Sequence, residues 1–285
     1  MLWQLLIFLS IILYAVSTVL QRFLLKNDKT EPISFSIFFQ IGVALVIGII
    51  VILIEGSFPL PDFAQIIWSV LLMTVLYTLA TIFVFRSLKI TEASKFTVII
   101  SSKTLFAVFG ASLILNEGLT IIQWLGAVLI ILGIIIISIK NIGKKINIGD
   151  VFALLAAIVI GFANINDRFL VKFFNPYSYV AIGFLLPGLL TALIHPKKLA
   201  YLKTYLHKSF IYKMLLLCLL NGLCAVAFYA SLQLTPNSSQ LFAINSFGAI
   251  ITVILSIFIL KEKDDVIKKI VGVLVSFFGL LLVNT

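Results

Sequence analysis

One lysine lies in the middle of a long apolar segment, where a positive charge is costly. Lys103 is near the centre of the apolar run 93–115. A lysine at the centre of a membrane helix costs about 2.5–3.5 kcal/mol on insertion scales, and such residues usually face the interior of a helix bundle. Lys103 is therefore a candidate for binding a carboxylate or phosphate. Alternatively, its stem extends toward the interface, or its ammonium contacts backbone carbonyls at a helix break.

Uncharged polar side chains recur at helical spacing in the same run. Ser94, Thr97, Ser101 and Thr104 follow a spacing of three and four, which places them on one helix face that excludes Lys103. Serine and threonine also serve packing between membrane helices. Besides Lys103 and Ser101, the candidates for binding a small molecule are Tyr14, Thr81, Asn164, Asn221 and Asn245.

Acidic residues are rare in the apolar runs. Asp167 and Arg168 are near one end of the run 149–171, which predicts an anchor at the membrane interface. The first run contains no carboxylate, so proton coupling through an early glutamate finds no support, and Asp167, the one plausible acidic candidate within the runs, lies near an edge. Glu117 and Glu262 each lie just after the end of one run and before the next, where the dipole of the following helix stabilises a carboxylate.

The motifs of common enzymes and metal sites are missing from the sequence. It contains no G-x-S-x-G, no H-E-x-x-H and no phosphate-binding loop of the Walker type. His195 and His207 have no partner at ligand spacing, and Cys218 and Cys224 are on different faces of one helix. The sequence therefore predicts no enzyme, no cofactor and no metal.

The composition is that of an integral membrane protein. The chain is 62% hydrophobic and 11% charged, whereas soluble domains are about 45–50% apolar and about 25% charged. Its net charge of +10 comes from basic residues in short loops. That placement reflects membrane topology and excludes a nucleic-acid partner. The loop 197–210, with apolar residues on one face and lysines elsewhere, predicts a short interfacial helix on the lipid bilayer.

Ten apolar runs are long enough to span a bilayer, which needs roughly 20 residues. Pro187 lies inside one of them and predicts a kink. The runs are 2–23, 33–54, 64–87, 93–115, 120–139, 149–171, 177–195, 211–233, 237–260 and 266–283.

The basic residues predict the orientation. Alternate loops carry eighteen of the lysines and arginines, and the opposite side carries two, Arg168 and Lys172. The positive-inside rule therefore places the basic loops on the cytoplasmic side of the membrane and both termini outside. The expected membrane is a prokaryotic plasma membrane.

The sequence repeats itself after 144 to 146 residues. Arg22-Phe23-Leu24-Leu25-Lys26 returns as Arg168-Phe169-Leu170-Val171-Lys172. Residues 1–139 and 149–285 are thus predicted to form two five-helix repeats, joined by the basic linker 140–148. Because five is odd, the copies enter the bilayer in opposite senses. The expected fold is an all-α membrane protein of two inverted repeats, a signature of secondary transporters.

The repeated motifs resemble those of the drug/metabolite transporter superfamily, in its ten-helix EamA-type members. The halves of that family carry a run of the form aromatic-x-A-L-x-x-T-x-A, then a helix ending in L-x-E, then a helix with two glycines seven apart. These motifs are Phe85 to Ser94, Leu115 to Glu117, and Gly126 with Gly133 in the first half, and Tyr229 to Ser238, Leu260 to Glu262, and Gly272 with Gly279 in the second.

The chain departs from the family at one position of each half. The family often has a proline thirteen residues before the motif glutamate, and here those positions are Thr104 and Ala249. This predicts that the usual mid-helix break is softened.

The expected function is secondary transport of a small polar metabolite, such as an amino acid or organic anion. The resemblance implies export or exchange, and we expect alternating access by a monomer. A flippase for a lipid-linked substrate and a membrane scaffold that transports nothing are the alternatives. The duplication argues against the scaffold, because scaffolding gives no reason for two inverted repeats.

Overall fold

The computed structural model describes residues 2–26, 30–107, 120–138, 147–205, 207–235, 241, 244–245, 247–261 and 266–283. Every regular element in these ranges is helical. The α-helices are α1 (Leu2–Leu25), α2 (Pro32–Glu55), α3 (Ile67–Ile90), α4 (Ala93–Ser101), α5 (Ile121–Ser138), α6 (Ile148–Leu170), α7 (Pro176–Ile194), α8 (Lys208–Leu234), α9 (Phe247–Ile259) and α10 (Val266–Val283). Phe63–Gln65 and Pro196–Tyr205 form 3-10 helices.

Six of the described helices are long and apolar enough to cross a membrane by length and composition: α1, α2, α3, α6, α7 and α8. Their outward faces carry large exposed apolar side chains, among them Leu53, Trp68 and Leu193. Because lipid is the solvent that tolerates such a surface, the chain is a multi-pass integral membrane protein.

Local sequence signals set where the helices begin and end. The Glu31 carboxylate accepts the amide hydrogen of Ser34, and Pro32 opens α2. Gly56, at a φ of 68°, ends the same helix in the left-handed conformation. Asn147 and Asp150 form a capping box at the start of α6.

The contacts between helices are reciprocal between the two halves of the chain. α1 packs mainly on α8, and α6, five helices later, packs mainly on α3. The second helices of the halves, α2 and α7, pack on each other, as do α4 with α9 and α5 with α10. Each half therefore uses the other as its packing partner.

The repeated glycines form the contact between α5 and α10. A Cβ atom at Gly133 would lie 2.6 Å from the Gly272 carbonyl oxygen, and one at Gly279 would lie 2.6 Å from the Gly126 carbonyl oxygen. Small residues let the backbones of membrane helices approach this closely.

The helix that carries Lys103 is interrupted at one residue, Ser102, which keeps right-handed helical dihedral angles (φ −62°, ψ −12°). α4 ends at Ser101, Ser102 forms a turn, and helical structure resumes over residues 103–107. The hydroxyls of Ser101 and Ser102 donate to the carbonyls of Val98 and Ile99. Serine hydroxyls compete in this way for helix backbone groups.

The basic loop is also different from its prediction. Residues Pro196–Tyr205 form a 3-10 helix instead of an amphipathic α-helix, and Phe210 belongs to α8. The Tyr205 ring stacks on Phe210, and its hydroxyl accepts the backbone N–H of Glu31. The loop thus packs on the start of α2.

Two glutamates and the linker that the sequence analysis singled out cannot be compared with the structure, and Pro187 can be compared only in part. Glu117, Glu262 and linker residues 140–146 lie outside the described residues. Pro187 lies inside α7, and the Thr191 and Thr78 hydroxyls donate to its carbonyl. The kink there remains a prediction.

Candidate functional site

A cavity of about 210 Å³ lies among the helices of both halves. Side chains of α1, α2, α3, α4, α6, α7 and α8 line it, together with residue 103 after α4 and residue 245 before α9. Six of the seven candidates from the sequence line this central cavity: Tyr14, Thr81, Lys103, Asn164, Asn221 and Asn245.

The seventh candidate, Ser101, lines a smaller adjoining pocket of about 40 Å³. Thr97 and Thr104 line it as well, and Tyr14, Lys103 and Asn245 border both spaces. The polar face of α4 thus borders the smaller space, while Lys103, outside that face, borders both spaces.

Lys103 directs its ammonium into the bundle and not toward lipid. Its Nζ atom lies 5.7 Å from the centre of the Tyr14 ring, within the range of a cation–π interaction. Within the described part of the chain, no carboxylate lies within ion-pair distance of this ammonium. A cationic group without an ion-pair partner, at the wall of a largely apolar cavity, is suited to bind an anion.

Gly161 of α6 permits the close approach of the backbone that carries Lys103. A Cβ at position 161 would lie 2.7 Å from the Lys103 carbonyl oxygen and 2.6 Å from Phe106 Cβ. The segment 103–107 therefore packs directly on the backbone of α6 at Gly161. This contact is three residues before Asn164 on the same helix.

The uncharged candidates differ in whether their polar groups form hydrogen bonds within the protein. Asn221 donates to the Ser17 hydroxyl at 2.9 Å, and the Thr81 hydroxyl donates to the Tyr77 carbonyl at 2.8 Å. Asn164 is 7% exposed and borders the cavity. Its amide makes no hydrogen bond to another described residue, and the same holds for Asn245. These two amides are the groups best placed to bind a ligand directly.

Asp167 is not an interfacial anchor, so that prediction is wrong. Its side chain is 1% exposed, whereas the neighbouring Arg168 is exposed. The Tyr179 hydroxyl donates to Oδ1 at 2.5 Å, and the hydroxyls of Tyr77 and Tyr229 donate to Oδ2 at 2.5 and 3.0 Å. The three tyrosines line the cavity, and Asp167 lies behind them.

Two helices without a candidate residue from the sequence, α2 and α7, also line the cavity. Phe39 and Gln40 of α2 and Tyr179 and Phe184 of α7 line the cavity. The internal repeat gave a partial indication that the position of Asp167 faces the interior of the bundle. Gln21 aligns with Asp167 at the offset of 146 residues, and it also lines the cavity.

The described residues hold no group of three or more histidine, cysteine or acidic side chains that could bind a metal ion. Cys218 and Cys224 are buried free thiols.

Comparison with known proteins identifies the family. A crystal structure described only as "Crystal structure of protein" is 14% identical to this chain with a TM-score of 0.69, covering 98% of this chain and 95% of that chain. At that identity the likeness shows the fold alone. No curated protein matches the chain. The model of the EamA-like transporter family matches residues 1–139 and again residues 147–285. The chain therefore belongs to the EamA-like transporter family.

Proposed function

We propose that the protein is a secondary transporter that exports or exchanges a small polar metabolite carrying a negative charge, such as an amino acid or an organic anion. The observation that carries the proposal is the Lys103 ammonium at the wall of a central cavity between the two halves. Membership of the EamA-like family supports transport of the drug/metabolite type.

The size of the cavity and the few polar groups in its largely apolar lining favour a small ligand with a polar group. Its volume of about 210 Å³ is below the roughly 300–1,000 Å³ of sites for drug-sized molecules. Lys103 would bind a carboxylate or phosphate of the ligand. Asn164, Asn245 and Asn221 would donate or accept hydrogen bonds around it, with Tyr14, Thr81 and Ser101 at the edge.

Alternating access is supported by the reciprocal packing of the halves. Because α1 packs on α8 as α6 packs on α3, one half can rock against the other around a shared site. The proposal includes ten membrane spans in two inverted five-helix repeats, residues 1–139 and 149–285. Both termini then lie outside a prokaryotic plasma membrane, with the basic linker 140–148 in the cytoplasm, and the working unit is a monomer.

A thermal-shift screen of the purified protein tests the proposed ligand class. Amino acids, nucleotides and organic acids would be compared, because a ligand at 100 times its Kd stabilises the folded state by about 2.7 kcal/mol. Negatively charged or zwitterionic compounds should raise the melting temperature, and Lys103→Ala should remove that shift. A set of ligands that consists only of cations and neutral molecules would contradict the proposal.

A further inference from the structure

Four oxygen-bearing side chains from four helices meet behind one wall of the central cavity. Asp167 of α6 accepts hydrogen bonds from Tyr77 of α3, Tyr179 of α7 and Tyr229 of α8. The hydroxyls of Tyr77 and Tyr229 are also within 3.1 Å of each other. The Tyr179 and Tyr229 rings pack edge to face, with centroids 4.7 Å apart. We call these four residues the tyrosine–aspartate cluster.

The cluster has one hydrogen-bonding contact more than it has protons. When Asp167 is ionised, the three tyrosines supply three protons for four close oxygen–oxygen contacts. If all three donate to the carboxylate, the contact between Tyr77 and Tyr229 has no proton. A proton on Oδ2 of Asp167 completes the set: Asp167 donates to Tyr77, Tyr77 to Tyr229, Tyr229 back to Oδ2, and Tyr179 to Oδ1. The arrangement has room for one added proton without any movement of heavy atoms.

No cation neutralises the Asp167 carboxylate among the described residues. Its hydrogen-bond partners are the three tyrosine hydroxyls, and the neighbouring Arg168 is exposed. The other titratable groups of the cavity are Tyr14, Lys103 and Cys224. A carboxyl group that lies within a membrane bundle without a counter-ion, next to a cavity, is a candidate proton carrier.

We propose that the tyrosine–aspartate cluster is a proton-binding site, and that the proton bound there couples to substrate movement. The coupling role rests on the proposed function, whereas proton binding does not. In the binding step a proton from cavity water adds to the Asp167 carboxylate, which changes its charge from −1 to 0, and no other bond forms or breaks. Release to the opposite side reverses the step. The tyrosine hydroxyls, which line the cavity, relay the proton to and from the buried carboxyl.

Infrared difference spectroscopy of the purified protein as a function of pH tests the site with the proton alone as ligand. A protonated carboxyl has its own C=O stretching band. The wild type should show such a band at low pH, and Asp167→Asn should remove it. Asp150→Asn is the matched control, because Asp150 is a buried carboxyl at the other end of α6 that forms an ion pair with Lys95. It should keep the band.

The result that overturns proton binding is a carboxyl band that Asp167→Asn leaves unchanged. If Asp167→Asn does not fold, Asp167→Glu serves instead, because a longer side chain changes the hydrogen bonds and must move the band. A band that Asp167→Glu does not move belongs to another carboxyl and also overturns the assignment. Suppression of the band by NaCl but not by choline chloride would show a sodium site and would overturn the proposal for the proton.

Coupling is measured in proteoliposomes that contain a pH-sensitive dye, with a ligand found in the thermal-shift screen. Wild-type protein should carry protons across the membrane, in either direction, whenever it transports that ligand. Asp167→Asn should move the ligand without protons, and proton movement that persists in this variant overturns the coupling role. If the wild type moves no ligand, transport and coupling both fail, while the infrared result still decides the proton site.

Discussion

The ammonium of Lys103 lies 5.7 Å from the centre of the Tyr14 ring, so the segment after α4 contacts α1 at the border of the central cavity. A cation–π interaction of this kind contributes about 0.5–2 kcal/mol, depending on how far water is excluded. Tyr14 therefore holds the charge at the wall of the cavity, where an anion can reach it.

Tyr14→Leu should weaken binding of an anionic ligand about five-fold, which corresponds to about 1 kcal/mol. The ring that positions Lys103 is lost, although the volume of the side chain is partly kept. Tyr14→Phe is the matched control and should bind nearly as well as the wild type, because it keeps the ring. Equal losses in Tyr14→Phe and Tyr14→Leu, measured by calorimetry, would show that the hydroxyl and not the ring matters.

Gly133→Ala and Gly279→Ala should each destabilise the protein by about 1–3 kcal/mol, because the added methyl group meets backbone atoms that cannot easily move. The control is Gly48→Ala, where the nearest atom is a Phe58 side-chain carbon at 3.9 Å. Thermal unfolding in detergent is the measurement. Unchanged melting temperatures in both glycine variants would mean that α5 and α10 do not pack as closely as described.

The stability that Glu31 contributes should depend on pH. Burial alone would raise the pKa of Glu31, but hydrogen bonds from Ser34 and the ammonium of Lys198 hold it below the ordinary value. A carboxyl with a lowered folded-state pKa stabilises the protein above its unfolded-state pKa, and the stabilisation is lost as the pH falls through the folded-state pKa.

Glu31→Gln should therefore be less stable than the wild type at neutral pH, by about 0.5 kcal/mol, because solvent screens a partly exposed ion pair. The difference should shrink as the pH falls below the ordinary glutamate pKa, which melting curves at several pH values would show. A difference that stays constant down to acid pH would exclude the charge as its cause.

Cysteine labelling tests the proposed orientation. In a variant with Cys218 and Cys224 replaced by alanine, Lys145→Cys should resist a membrane-impermeant thiol reagent added to intact cells. The control Lys172→Cys, on the opposite side, should react. The reverse pattern would mean that the basic loops face outward.

The main residues of the cavity could be predicted from the sequence, because polar side chains inside a membrane helix are energetically costly and therefore easy to recognise. Lys103, Asn164 and Asn245 are polar groups inside apolar runs, and such groups rarely face lipid. The repeat added the alignment of Thr18 with Asn164 and Ser101 with Asn245. These signals are local or internal to the chain, so they require no knowledge of packing.

The remaining features depend on contacts between distant segments. α2 and α7 are apolar almost all round, so no periodic pattern marks their cavity-facing sides. Asp167 stands beside an exposed arginine near a helix end, which is typical of an anchor. Its burial depends on hydroxyls that three other helices supply. The interruption at Ser102 is different, because it is local: the hydroxyls of Ser101 and Ser102 bond to carbonyls three residues earlier, without the proline that usually signals a break.

The most direct test of the account is transport of an anion by Lys103→Ala. Proteoliposomes would be loaded with a radiolabelled anionic ligand that stabilises the wild type. Efflux would be compared for wild type, Lys103→Ala, Lys103→Arg and the control Lys213→Ala, whose lysine also lies over an aromatic ring, that of Phe23, but does not line the cavity. We predict that Lys103→Ala abolishes efflux while its melting temperature without ligand stays close to that of the wild type, that Lys103→Arg keeps part of the rate, and that Lys213→Ala is unaffected. An efflux rate in Lys103→Ala equal to that of the wild type would contradict the account.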